Sequence, residues 1–127
     1  MADDLRYSED HLWFRQVQGS LIAGITEEIS RVLTWVNRVD LPADGAQLAA
    51  GDELATIDSQ KAVFVLPAPV SLEVLAVNEA LSADPMLVRL EPHGRGWLVE
   101  VSLEPGGWER LLDPRAYGGA LSRSQQG

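Results

Sequence analysis

The stretch Asp58-Ser59-Gln60-Lys61-Ala62-Val63 joins two strand-like runs and contains the only lysine among the 127 residues of this chain. Of the ten lysine and arginine residues, the other nine are arginines, so lysine is not needed to supply positive charge. A GC-rich coding sequence, which replaces lysine by arginine, accounts for the missing lysines but not for the place of this one. A guanidinium stays protonated and is a poor nucleophile, whereas a primary amine can be acylated. We therefore interpret Lys61 as a covalent attachment point.

Short apolar runs separated by Gly, Pro, Asp and Asn predict a mainly β fold with a few short helices. Thr26, followed by two glutamates and apolar residues at helical spacing, predicts one helix, and Asp113-Pro114 predicts the start of another. One or two helical turns are expected at 108–112. Residues 78–96, with Pro85 and Pro92, are expected to be mostly loop, and residues 122–127 a disordered tail. The predicted strands are 12–17, 20–25, 36–41, 53–57, 62–66, 70–77 and 97–103.

Composition limits the possible functions. A chain of 127 residues, 46% of them hydrophobic, predicts one domain over residues 1–127. The net charge of −9 without a basic cluster argues against a nucleic-acid partner. No apolar run approaches the roughly 18 residues of a membrane span, and the acidic start does not resemble a signal peptide, so we expect a cytoplasmic protein without a membrane partner. The chain has no cysteine, and His11 and His93 are far apart in sequence, so no metal site is expected.

The motif around Lys61 continues as Ala68-Pro69-Val70-Ser71 and Glu73-Val74-Leu75-Ala76-Val77-Asn78, and this ordered series resembles the glycine cleavage system H protein family. That family's motif runs E-S-V-K-A, then P-V-S-G-E-V-x-x-V-N. The resemblance covers nearly the whole chain. Its other parts are Tyr7, His11-x-Trp13, Gly24-Ile25-Thr26, Val39-Asp40-Leu41-Pro42, Leu87-Val88, Glu91-Pro92, Gly96-Trp97, Leu111-Leu112-Asp113 and Tyr117.

The resemblance implies a capped β-sandwich, a barrel-sandwich hybrid of the lipoyl-domain kind, and a carrier that is not itself an enzyme. Lys61 would hold lipoic acid in amide linkage and swing it between partner enzymes. Asp58, Ser59, Gln60 and Ala62 would form the lipoylation motif. The implied partners are a lipoate ligase or octanoyltransferase, a dihydrolipoyl dehydrogenase, and either glycine decarboxylase with aminomethyltransferase or a heterodisulfide-reductase-like complex.

Two departures from the family bear on the cargo. Leu12 stands where the family has the glutamate of H-E-W, and Val65 stands where it has an aspartate four residues after the lysine. An aminomethyl cargo is a cation, and holding it without a carboxylate costs about 1–3 kcal/mol. Asp10, in the same N-terminal segment, could supply one charge. We expect Asp10, Leu12 and Val65 to line the arm cleft, which Leu12 and Val65 would make apolar. This favours the sulfur-linked cargo of the H-like lipoate-binding proteins of sulfur-oxidising heterodisulfide-reductase-like systems.

Further departures and alternatives stay open at this point. Leu72 replaces a family glycine and would be strained by about 1–2 kcal/mol if that turn needed a positive φ. Asp58 replaces a glutamate, so a dedicated ligase is conceivable. Trp35, at a position where the family has a Gly-Asp-like turn, could line the groove in which the arm rests. The alternative functions are a glycine cleavage carrier of an aminomethyl group and an unmodified binding module; biotinyl domains and acyltransferase lipoyl domains match less well.

Overall fold

The computed structural model describes residues 5–17, 20–113 and 115–117. The expected tail, 122–127, lies outside this range. The described residues form nine strands and four short helices. In chain order they are β1 (Leu5–Tyr7), β2 (Leu12–Val17), β3 (Ser20–Ile25), α1 (Glu27–Ser30), β4 (Val36–Asp40), β5 (Gln47–Leu48), β6 (Glu53–Ser59), β7 (Val63–Pro67), β8 (Leu72–Val77), α2 (Ala80–Ala83), α3 (Leu87–Leu90), β9 (Val99–Leu103) and α4 (Gly107–Arg110).

Two antiparallel sheets share one hydrophobic core. The larger has the strand order β1-β2-β3-β9-β8-β5, and the smaller has the order β4-β6-β7. Apolar residues alternate along the strands, as in β9, where Val99 and Val101 are buried and Ser102 is exposed. Side chains from both sheets, among them Phe14, Val74 and Ile57, belong to the same buried cluster. The expectation of a mainly β sandwich with a few short helices is confirmed.

Several local predictions need correction. Residues 78–96 are mostly loop, as predicted, but they also contain two unpredicted helices, α2 and α3, each one turn long. The first helix ends at Ser30, so Val32 is largely exposed while Leu33 and Val36 are buried by the turn and strand that follow. Leu72 opens β8 and is buried against the core. Its φ is not positive, because His11 is the only described non-glycine residue with a positive φ, so the expected strain is absent.

Tyr117, at the C-terminal end of the described residues, contacts side chains from the N-terminal part of the chain. The hydroxyl of Tyr117 donates to Oγ1 of Thr26 at 3.0 Å and lies 2.8 Å from Nδ1 of His11. Thr26 is thus the N-cap residue of α1 by position, but its hydroxyl bonds to Tyr117 and not to the helix. Asp113 does act as a cap, since its Oδ1 accepts from the amide of Ala116, and residues 115–117 are helical. The ring of Tyr117 also stacks on that of Tyr7 in β1, with the ring centroids 4.3 Å apart.

Two glycines are required by close packing. A Cβ on Gly24 would lie 2.5 Å from the ring of Trp13, whose Nε1 donates to the carbonyl of Pro92. A Cβ on Gly96 would lie 2.2 Å from the carbonyl oxygen of Leu87 at the start of α3. Backbone cannot move aside as a side-chain tip can, so only glycine fits at 96. The chain is held against α3 at this point.

We predict that Gly96→Ala lowers the free energy of unfolding by about 1–3 kcal/mol, because the new methyl group overlaps backbone atoms. Urea denaturation followed by circular dichroism measures it. Gly94→Ala is the matched control, since its Cβ would meet nothing closer than 3.7 Å. Equal stability of the two variants would contradict the prediction.

Candidate functional site

The turn between β6 and β7 is tied by three short hydrogen bonds. The amide of Ser59 donates to the carbonyl of Ala62 at 2.9 Å, and the Ser59 hydroxyl donates to the same oxygen at 2.7 Å. The amide of Gln60 donates to the carbonyl of Trp35 at 2.8 Å, which joins the turn to the start of β4. Ser59 is almost fully buried, so its bonds are shielded from water. The tip formed by Gln60 and Lys61 therefore projects from a rigid base.

Lys61 is exposed at this tip, as the sequence predicts for an attachment point. The salt bridges among the described residues all use arginine as the cation, so the Lys61 amine is in none of them. Gln60 and Ala62 are exposed on either side. An exposed amine on a rigid tip can be reached by a modifying enzyme, and anything attached to it can clear the domain.

Along the two strands that flank the turn, side chains alternate between the core face and the outer face of the sheet. Ser59 and Ile57 point into the core, whereas Asp58 and Thr56 point away from it and are half-buried. On β7, Val63 pairs with Asp58 and Val65 pairs with Thr56, and both valines are exposed. Asp58 takes part in none of the salt bridges of the described residues. The outer face of the three-stranded sheet thus carries Asp58 near the lysine turn, with Val63 opposite it on β7 and Arg38 opposite it on β4.

The predicted arm cleft of Asp10, Leu12 and Val65 is not assembled. Leu12 has no exposed surface, because it lies on the core side of β2 within the buried cluster, and it is unavailable to an arm at the surface. Asp10 is exposed and lines a separate cavity of about 280 Å³ with Pro67 and Pro69, at the end of β7 away from the lysine turn. Only Val65 of the three lies exposed on the outer face next to the turn.

Trp35 lies next to the lysine turn, with its side chain exposed, as the sequence analysis suggested. Its backbone carbonyl is bonded to Gln60, and its side chain is 58% exposed. Val63 is also exposed on the same face as Val65, as strict alternation along β7 predicts.

Histidines occupy structural positions. His11 bonds to Tyr117, and His93 stacks on Trp13 at 5.5 Å. Partial burial, and then the nearby Arg15 guanidinium, lower the pKa of His93 below its ordinary value. The described residues contain no group of three or more His, Asp or Glu arranged to hold a metal ion. Within the same range, no helix is long and apolar enough to cross a bilayer.

Comparison with known proteins decides the family. A family model described as the glycine cleavage H-protein matches residues 5–122. The chain belongs to the glycine cleavage H-protein family. Members of this family are lipoyl carriers without catalytic activity of their own.

Individual relatives agree with the family match. The glycine cleavage system H protein of Aeromonas hydrophila is 41% identical over 119 residues, covering 92% of each chain. That of Escherichia coli is 42% identical over 116 residues, covering 90% of each. A crystal structure of a glycine cleavage system H protein from Mycobacterium marinum superposes with a TM-score of 0.79 at 30% identity, covering 94% of this chain and 97% of that one.

We predict that Ser59→Ala destabilises the fold by about 1 kcal/mol, because it leaves the carbonyl of Ala62 with one bond fewer in a shielded position. Faster amide hydrogen exchange at Ser59 and Gln60, whose amides are hydrogen-bonded in the turn, would report the loosened turn. Ser102→Ala, at an exposed position of β9, serves as the control. Unchanged exchange in Ser59→Ala would show that the hydroxyl does not rigidify the turn.

Proposed function

We propose that the chain is the lipoyl carrier of a glycine cleavage system, with lipoic acid attached to the Nζ of Lys61 by an amide bond. The observation that carries the proposal is the exposed Lys61 amine, outside any salt bridge of the described residues, on a hydrogen-bonded hairpin tip. A lipoyl group held there would supply a dithiolane able to carry the aminomethyl group of glycine and then to be returned to the disulfide.

The residues around the attachment point fit this group. The amine is accessible from solvent, and the two-residue tip needs no positive φ, so lysine occupies it without strain. Asp58 presents its carboxylate on the outer face one pair of residues from the turn, where a lipoate ligase or octanoyltransferase could read it. Gln60 and Ala62, exposed on either side of the lysine, complete the surface for that enzyme.

The burial of Leu12 changes the argument about cargo. Its apolar character is explained by packing in the core, so it gives no information about what the arm carries. The comparisons also give no support to a sulfur-linked cargo, since the matched relatives are named glycine cleavage system H proteins. Asp58 places a carboxylate near the lysine turn, where it lies opposite Arg38 of β4. We therefore prefer the aminomethyl cargo, with glycine decarboxylase, aminomethyltransferase and dihydrolipoyl dehydrogenase as partners.

Tethering explains why such a carrier needs no catalytic residues. An arm fixed to Lys61 meets each partner enzyme at a high effective concentration once the domain docks, and it is not lost to solution between them. The net charge of −9 would favour encounters with basic surfaces on those partners. The chain's own contribution is thus to hold and present one amine.

Incubation with lipoate, ATP and a lipoate ligase should add one lipoyl group to the chain, measured by intact mass. Lys61→Arg is the matched control and should gain nothing, because a guanidinium is not acylated under these conditions. Loading of the Arg variant, or no loading of the wild-type chain by any of several ligases, would contradict the attachment site.

The lipoylated chain should show a further, glycine-dependent mass increase when mixed with a glycine decarboxylase. The lipoylated Escherichia coli relative is the positive control for the enzyme. No increase on this chain, while the control loads, would rule out the aminomethyl cargo.

A further inference from the structure

Three of the four sheet edges among the described residues are protected against pairing with another strand. β1 is bridged by the C-terminal segment, since Tyr7 and Leu112 exchange backbone hydrogen bonds at 2.7 and 2.8 Å. β5 is only two residues long. β4 has a register shift between Val36 and Arg38, and Arg38 forms a salt bridge with Asp40 of the same strand. Short strands, irregular pairing, covering segments and charges are the usual protections of a sheet edge.

The fourth edge, β7, lacks these protections. Its five residues, Val63–Pro67, include no charged side chain, and its pairing with β6 is regular from Val63 to Leu66. Within the described residues, β6 is the only strand that pairs with β7. Val63 and Val65 are 60% and 56% exposed. The strand therefore offers an open edge to another chain.

The hydrogen-bonding pattern shows which backbone groups of β7 face outward. The Ser59 amide bonds to the Ala62 carbonyl at the turn. Bonded pairs alternate with non-bonded pairs along an antiparallel hairpin, so Phe64 bonds with β6 and its two neighbours do not. The N–H and C=O groups of Val63 and Val65 therefore point away from β6, and they lie symmetrically about Phe64.

This arrangement is complementary to itself. When two copies of β7 run antiparallel about Phe64, Val63 of one copy lies opposite Val65 of the other, and each such pair exchanges both of its backbone hydrogen bonds. The valine side chains meet on one face as cross-strand pairs. The two small sheets then become one continuous sheet in the order β4-β6-β7-β7-β6-β4.

Charge favours the same register. Lys61 of one copy lies opposite Pro67 of the other, and Pro67 pairs with Glu53 of β6. Two strand spacings separate Lys61 from Glu53, so the two residues lie about 10 Å apart. Both are outside the salt bridges of the described residues within one copy. The attraction acts within a Debye length of about 10 Å, and it occurs twice because the pairing is symmetric.

We propose that the open edge of β7 is the interface of a symmetric dimer, in which it pairs antiparallel with β7 of a second copy of this chain. The occupant is a second copy because both the bonding groups and the charges match under a twofold rotation. A five-residue edge buries less than the roughly 1,200 Å² of a stable interface, so the dimer is weak and dissociates on dilution. In the dimer, the turn that bears Lys61 adjoins the other copy.

Analytical ultracentrifugation between about 10 μM and about 1 mM protein covers the range of a weak dimer, and the sedimentation coefficient should rise with concentration. Val65→Lys should weaken dimerisation about tenfold, because it places a charge in both cross-strand pairs. Val17→Lys is the matched control, since it changes the net charge equally at an exposed valine of the larger sheet. A chain that stays monomeric at about 1 mM, or a dimer that Val65→Lys does not weaken, overturns the proposal.

Charge reversal tests the register. Lys61→Glu should weaken dimerisation about two- to fivefold. Adding Glu53→Lys should restore it, at the original net charge of −9. A double variant that associates no better than Lys61→Glu alone would show that these residues do not meet, and would overturn the pairing.

Amide hydrogen exchange locates the interface. Dilution should speed exchange at Val63 and Val65, whose amides gain their partners in the dimer, and should leave Phe64 unchanged because its amide bonds to β6 in both states. Association without this alternation would assign the dimer to another surface and overturn the proposal. All three measurements use the unmodified chain, so their outcomes are independent of lipoylation at Lys61.

Discussion

The bonds between Ser59 and Ala62 constrain the part of the molecule on which its function depends. Both the amide and the hydroxyl of Ser59 donate to one carbonyl, in a position shielded from water, so the hairpin closes after two residues. A third bond joins Gln60 to Trp35 and fixes the hairpin to the neighbouring strand. A carrier must present its attachment point to several enzymes in one orientation. That requirement is met by a short turn on a sheet whose other side belongs to the core.

The two faces of the three-stranded sheet have different roles. Its inner face contributes Ile57 and Leu66 to a core shared with the six-stranded sheet. Its outer face carries Asp58, Val63 and Val65 beside the lysine. Successive residues of a strand alternate between faces. Alternate positions of one segment therefore stabilise the core and form the surface beside the lysine. A change at one set can leave the other intact, which allows the outer face to differ between related carriers that share a core.

The remainder of the chain supports this sheet from its end. α3 is packed so closely that Gly96 cannot bear a side chain, and Arg89 and Met86 bond to the backbone on either side of Trp35. Through these contacts, a segment that reads in sequence as loop holds the start of β4. Trp35 can then expose its ring without loosening the strand. The short helices thus do not contribute catalytic groups but position the sheet that carries the lysine.

The sequence by itself determined the fold class and the family resemblance, and it singled out Lys61 as the proposed attachment residue. Alternation marks most strands locally, although not the short β1 and β5, and Lys61 is unique and sits in a contiguous motif, so these predictions need no long-range information. The sequence misplaced the arm cleft and did not reveal the helices α2 and α3. Only the tertiary structure decided that Leu12 faces the core, that Asp10 lies at the far end of β7, and that Trp35 meets the turn. The physical reason is that which side of a strand meets the core, and which residues distant in sequence become neighbours, follow from the pairing of strands and the packing of two sheets.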